Sequence, residues 1–165
     1  MRKIVSFIAI FASLAILVSC GNRAKKTTEE IRFHELTEQY VQEELQLSHF
    51  DSVRVVKVDT VDNYEYAQIM VDILLMMNEE TMDEYTAALM AEDEAVSKDL
   101  EIKVDEIASA GHQWEMEVEA TANAPKTTRY YLVTANYYAG QDIDQFYFFV
   151  TTDFKIHIPD PFAEL

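Results

Sequence analysis

The sequence predicts an α+β fold: an antiparallel sheet of about four strands, with helices packed on one face that include a long helix or helical hairpin. Three observations predict it. Residues 23–110 contain neither Gly nor Pro, so nothing there punctuates the chain strongly and long helices are expected. Apolar residues recur at helical spacing through most of that stretch. Beyond residue 113 the apolar period changes to two, and β-branched and aromatic residues accumulate.

Each element has its own signal. Thr27 followed by Glu30 fits a capping box, in which the hydroxyl oxygen and the carboxylate each accept from a free backbone N–H. Phe33, Leu36, Tyr40, Val41, Leu45 and Leu47 then mark one face of a helix over residues 28–47, with Glu29, Glu30, Glu35, Glu38, Glu43 and Glu44 filling the other. Residues 51–61 (DSVRVVKVDTV) read as a strand. Val53 and Val55 share one face and Val56 and Val58 the other, which suggests burial on both sides or a bulge. Asp62 or Asn63 is placed to cap the next helix. Ile69, Met70, Ile73, Leu74, Met76 and Met77 are apolar nearly all round, the pattern of a deeply buried helix. A polar stretch at residues 78–83 divides the helical signal into pieces over about 64–78 and 81–110, either one bent helix or an antiparallel hairpin. Gly111 is placed as a helix stop. Trp114, Met116, Val118 and Ala120 alternate with Glu115, Glu117 and Glu119, as in a half-buried strand with one face to water. Residues 128–138 (TRYYLVTANYY) and 144–152 (DQFYFFVTT) predict two further strands joined at Ala139-Gly140-Gln141-Asp142. Residues 154–158 extend the last strand or follow as a short piece. Pro159 and Pro161 then end ordered structure.

The amino terminus carries an address rather than a fold. Arg2 and Lys3 precede an apolar run over residues 4–18, interrupted by Ser6 and Ser13, and small residues follow. This is the layout of a secretory signal. Fifteen helical residues span roughly 22 Å, short of a hydrocarbon core of about 30 Å. The order Leu17-Val18-Ser19-Cys20 resembles the bacterial lipobox. The resemblance implies cleavage before Cys20, which becomes the mature N-terminus and carries diacylglycerol and an N-acyl chain; no other cofactor is expected. The organisation follows: signal peptide at 1–19, lipidated cysteine and basic tether at 20–27, a single α+β domain at 28–158 and a tail at 159–165. The helix-then-meander order is similar to cystatin-like and NTF2-like α+β rolls, and to small lipoproteins of Gram-negative anaerobes.

Composition narrows the function classes. Cys20 is the single cysteine, so no disulfide or cysteine-ligated metal is available. From residue 27 onward there are 8 Lys and Arg against 30 Asp and Glu, a formal −22. Such a surface argues against nucleic acid as a partner, which needs a basic footprint. Arg23, Lys25 and Lys26 form a membrane-proximal basic tether, attracted to anionic headgroups that repel the acidic body. Gly21 stands where an aspartate would resemble an inner-membrane retention signal, and the residues after it are basic, unlike the acidic tags associated with surface display in some such bacteria. The resemblance to lipoproteins then implies an outer-membrane, periplasm-facing location, with surface display the alternative.

No Ser-His-Asp set, Gly-rich phosphate loop or nucleophile elbow appears in the sequence. His34-Glu35-Leu36-Thr37-Glu38 begins like a zinc-protease helix, but the position of the second histidine holds Glu38. His49, His112 and His157 are isolated. Met70, Met76, Met77, Met82, Met90 and Met116 could suggest soft-metal binding; core packing, or the lining of a groove for a partner, accounts for them as well. Glu92-Asp93-Glu94 and Asp142 with Asp144 lack the glycine and ligand spacing of a calcium loop. The aromatic strands are the most distinctive surface, and alternation sends about half of their rings away from the helices. Glu115, Glu117, Glu119, Tyr130, Tyr137 and Tyr147 are the candidate partner surface.

These observations point to a non-catalytic, membrane-anchored binding or accessory module that engages an envelope protein. An immunity or inhibitor protein against a basic partner, or a ligand carrier or enzyme using the hollow of an NTF2-like roll, is the alternative.

Overall fold

The computed structural model describes residues 27–47 and 49–164. The expected signal peptide at residues 1–19, the expected lipidation site Cys20 and the expected tether of Arg23, Lys25 and Lys26 lie outside the described residues. Among those residues the chain runs α1 (Thr28–Glu43), β1 (Ser52–Asp62), α2 (Asn63–Met90), α3 (Glu94–Thr121), β2 (Thr128–Ala139), β3 (Asp142–Thr151) and β4 (Ile156–His157). The sheet is antiparallel with strand order β1-β2-β3-β4. The α+β class with about four strands is therefore as the sequence predicts. Contacts divide the chain into two compact units. The first comprises the described part of Met1–Thr60 with Tyr130–His157, and the second Val61–Arg129 with Ile158–Leu165.

The first unit is α1 against the sheet. The capping box is present: the Glu30 N–H donates to Thr27 Oγ1 at 3.2 Å, and the Thr27 N–H to Glu30 Oε2 at 2.7 Å. Phe33, Thr37 and Val41 form the buried stripe of α1. Thr37 keeps its hydroxyl satisfied by donating to the Phe33 carbonyl at 2.6 Å, which removes most of the cost of burying it. The helix ends at Glu43 rather than at residue 47. Gln46 takes a left-handed φ of 53°, and the Leu47 N–H turns back to the Val41 carbonyl at 3.1 Å. Leu45 and Leu47 still pack on the core, but from an irregular turn. Their apolar spacing reported burial correctly and helix wrongly.

Strand alternation sorts the sheet. Val53, Val133, Ala135, Phe146, Phe148 and Val150 join Phe33 and Val41 in one buried cluster. Val55, Tyr131 and Tyr137 are partly buried against it. The even positions of β1 do not form a second buried face: Val56 and Val58 are exposed. Val53 is buried and Val55 half-buried on the opposite face, so these four valines have one face to the core and one to solvent. Gly140 and Gln141 link β2 to β3, and Gly140 at φ 65° supplies the left-handed residue this two-residue turn requires.

The second unit is the helical hairpin, the second of the two arrangements that periodicity allowed. Asp62 is the cap of α2. It accepts from the Glu65 N–H at 2.9 Å, while Glu65 accepts from the Asp62 N–H at 3.0 Å. The polar stretch at residues 78–83 does not break α2, because it contains good helix formers and Thr81 returns its hydroxyl to the Met77 carbonyl at 2.7 Å. The break falls at residues 91–93. Glu92 is left-handed (φ 57°), and Asp93 caps α3 by accepting from the Val96 N–H at 3.2 Å. With so short a link, α2 and α3 run antiparallel and pack along each other.

Two expectations fail in α3. Gly111 lies inside the helix rather than at its end, and residues 113–120 are helix rather than strand. The alternation was real in composition but not in burial. Trp114 is 1% exposed and Met116 51%. Ile107, Ala110 and Trp114 are the buried residues of α3, at helical spacing. The six residues that mark α2 as deeply buried are all removed at least partly from solvent, with Ile69, Ile73, Met76 and Met77 half-buried. Met70 and Leu74 are buried, but Leu75 is 61% exposed.

After β4 the tail folds into the second unit. Trp114 Nε1 donates to the Pro161 carbonyl at 2.8 Å, and Pro161 is buried. Tyr66 donates its hydroxyl to Glu164 Oε2 at 2.9 Å, and its ring meets Trp114 edge-on at 5.9 Å. The Arg129 guanidinium lies 4.6 Å from the centre of the Tyr66 ring, and its Nη2 is 3.8 Å from Glu164 Oε2. The prolines therefore end the strands, and the chain beyond them is built into packed structure.

Candidate binding surfaces

The six residues proposed as a partner surface fall into different units. Glu115, Glu117 and Glu119 are on α3, and Tyr130, Tyr137 and Tyr147 are on the sheet. On a helix the three glutamates do not line one face. Glu115 and Glu119 are one turn apart, and Glu117 points elsewhere. All three are exposed, and His112 Nδ1 is 3.8 Å from Glu115 Oε2.

The three tyrosines divide between the faces of the sheet. Tyr137 lies on the α1 side, and its hydroxyl donates to Asp144 Oδ2 at 2.7 Å, directly across the β2–β3 pair. That hydrogen bond, followed by partial burial and the charges of Asp144 and Asp142, holds its hydroxyl above the usual tyrosine pKa. Tyr130 and Tyr147 occupy the opposite face. Tyr130 stacks on His157 at 4.3 Å and meets Phe149 edge-on at 6.0 Å. Tyr147 donates to Gln145 Oε1 at 2.8 Å, and Gln145 Nε2 to Asn136 Oδ1 at 3.3 Å. This is a short polar ladder beside the half-buried Tyr138 and Tyr147. It offers hydrogen bonding and ring surface, and it contains no nucleophile beside a base.

The α1 side of the sheet is filled. Tyr40 stacks on Phe148 at 4.6 Å and on Phe146 at 5.7 Å, and Phe146 stacks on Phe148 at 6.1 Å. Phe33 meets Tyr131 at 5.4 Å and Phe154 at 5.3 Å. Burial, with the Glu44 charge second, raises the Tyr40 hydroxyl above its ordinary range. Rings therefore occupy the space in which a hollow roll would hold a ligand.

Two grooves remain. One, of about 350 Å³, lies between α1 and the β3–β4 turn and is lined by Arg32, Glu35, Leu36, Gln39, Asp153 and Phe154. The Arg32 guanidinium sits 5.0 Å from the centre of the Phe154 ring there. The other, of about 240 Å³, surrounds the start of α2 and the end of α3, with Asp62, Tyr64 and Lys126 in its wall. Asp62 is already engaged as a helix cap, and Lys126 Nζ lies 3.7 Å from its Oδ2. Neither groove sets out an acid–base pair aimed at a common point.

The histidines do not assemble. His34 Nδ1 is 3.8 Å from Glu38 Oε1 on α1, His49 is exposed, and His112 and His157 have the neighbours given above. Among the described residues no three His, Cys, Asp or Glu side chains converge on a point that could hold a metal ion. The methionines separate by burial: Met70 is in the core, Met76 and Met77 are half-buried, and Met82, Met90 and Met116 are exposed. Among the same residues no helix is long and apolar enough to cross a membrane.

A family model described as PixA, inclusion body protein, matches residues 28–158, from the first turn of α1 to just past β4. The chain belongs to the PixA inclusion body protein family. The PixA match covers every helix and strand described above and stops before the segment that packs against Trp114. The family description names a kind of protein body and no catalytic activity. No curated protein and no solved structure matches the chain.

Proposed function

We propose that this PixA-family chain is a non-catalytic accessory lipoprotein of the cell envelope. Cys20 carries its lipid, the outer membrane is its site, and the acidic body faces the periplasm to bind another protein. The observation that carries the non-catalytic part is the filled sheet. Tyr40, Phe146, Phe148, Phe33 and Tyr131 pack between α1 and the sheet, and the two grooves described above are open to solvent. The family description, which names no activity, supports the same reading.

The anchor rests on Leu17-Val18-Ser19-Cys20 at the end of an apolar run. These residues precede the segment that the PixA family model matches, so the family and the anchor describe different parts of the chain. Two acyl chains or more are the physical requirement for a stable hold, since one chain binds only marginally. Arg23, Lys25 and Lys26 then lie at the headgroups, where each contributes about 1 kcal/mol near an anionic surface.

Mass spectrometry of the mature N-terminus tests the anchor. A diacylated and N-acylated Cys20 peptide is expected, with loss of membrane retention in Cys20→Ala; an unmodified Cys20 peptide ends this part of the proposal. Crosslinking in intact cells tests the binding role, and a reproducible envelope protein is the expected product. A co-purified small molecule with no protein crosslink would favour a ligand carrier instead.

A further inference from the structure

We propose that one exposed flank of α2, formed by Leu75, Met82 and Leu89, docks a cationic amphipathic helix of another protein. The three side chains are 61%, 40% and 52% exposed, and Met90 beyond them is 83% exposed. Their spacing of seven residues sets them in a line about 21 Å long. The hairpin does not use them. Each directly follows a buried position, Leu74, Thr81 or Ala88, and so lies about 100° round the helix from that buried stripe. Half-buried Val71 and Tyr85, each one turn before a member of the line, broaden the apolar strip.

Charge selects the occupant. Residues 63–121 contain 16 Asp and Glu against two Lys, a formal −14 out of −17 for the whole chain. Exposed Asp72 and Glu79 border the line, each three residues before one of its members. A second copy would set this acidic surface against its own likeness, and an anionic bilayer would be repelled. A helix with a matching apolar stripe and Lys or Arg along its flanks meets both requirements. Heptad-spaced apolar contacts seat it, and the opposite charges steer and orient it. The inference deepens the binding role proposed above and is independent of the anchor.

The test uses the full chain in detergent and a labelled synthetic helix of about 21 residues, with leucines at heptad spacing flanked by lysines; the control helix carries glutamates instead. Fluorescence anisotropy is expected to show binding of the lysine helix alone, weakening as salt rises. Combined Leu75→Ser, Met82→Ser and Leu89→Ser substitution is expected to weaken binding at least about tenfold, with an unchanged circular dichroism spectrum. If that variant loses its fold, the single Leu75→Ser variant, at the most exposed of the three positions, carries the comparison. Ile102→Ser with Met116→Ser, exposed positions on α3, is expected to leave binding unchanged. Equal loss from the α3 pair would mean adsorption to acidic surface in general and would overturn the proposal. So would unchanged binding by the α2 variant, or a sedimenting dimer that the α2 substitutions abolish. None of these outcomes bears on Cys20, and a crosslink to another face in cells would leave the accessory role standing while removing this surface from it.

Discussion

Gly111 shows how one residue can mislead and then be tested. It stands inside α3, and a Cβ added there meets no atom within 4 Å. Glycine in a helix interior costs roughly 0.5–1 kcal/mol relative to alanine through backbone entropy. Gly111→Ala is therefore expected to raise stability by about that amount, read as a higher urea midpoint with an unchanged slope. A loss of stability would mean the helix is not continuous there. Tyr137 supplies the second residue-scale prediction. Its hydroxyl donates to Asp144, and its pKa is raised above 10.0 in the fold. The neutral form is thus favoured by folding, so the contribution is complete below the ordinary tyrosine range and is lost as pH rises through the raised value. Alkaline titration should cost the wild type stability that Tyr137→Phe does not lose over the same interval. Parallel losses in both would leave the hydrogen bond without a role.

The elements were legible to different degrees. The first capping box was legible from spacing alone, because Thr27 with Glu30 is a local device needing no tertiary context, whereas Asp62 and Asn63 stood as alternative caps of α2 until the structure paired Asp62 with Glu65. The strands at residues 128–139 and 142–151 were close to expectation, since β-branched and aromatic runs with a glycine turn between them admit few other structures. Residues 113–120 failed because a seven-residue alternation of apolar residues and glutamate satisfies two periods. Glutamate is a good helix former, and only the continuation back to Ile107 and Ala110 decides between them. The end of α2 was equally hidden. Its terminus depends on Glu92 adopting a left-handed backbone without being glycine, which no pattern of polarity announces. Of the candidate surface, residue identity and exposure were legible for the glutamates, but not their grouping, which depends on helix rather than strand. Tyr137 and Tyr147 were assigned to one surface, although strand parity separates them.

At the scale of the whole molecule, the chain passes between its two compact units three times, after Thr60, Arg129 and His157. The last passage delivers the segment that satisfies Trp114. Because Trp114 is the single tryptophan, its emission reports that segment directly. Deleting residues 158–165 removes the Pro161 acceptor and the Glu164 partner of Tyr66. The expected result is a red-shifted emission and a loss of about 2–4 kcal/mol, the scale of an opened aromatic core with an unpaired buried donor. Unchanged emission would show the tail to be dispensable for covering the indole.

The position of the hairpin between β1 and β2 also sets a schedule. β2 is the only strand beside β1 in the described sheet, and 65 residues separate the two in the chain. At synthesis rates of about 5–20 residues per second, the valine-rich β1 waits about 3 to 13 s for its partner to be made. During that interval both of its edges are open, a template for any extended chain nearby. The hairpin that imposes the delay can close meanwhile, because its two helices meet through a three-residue link. The strand order thus leaves the valine-rich β1 without its partner until the whole hairpin has been made.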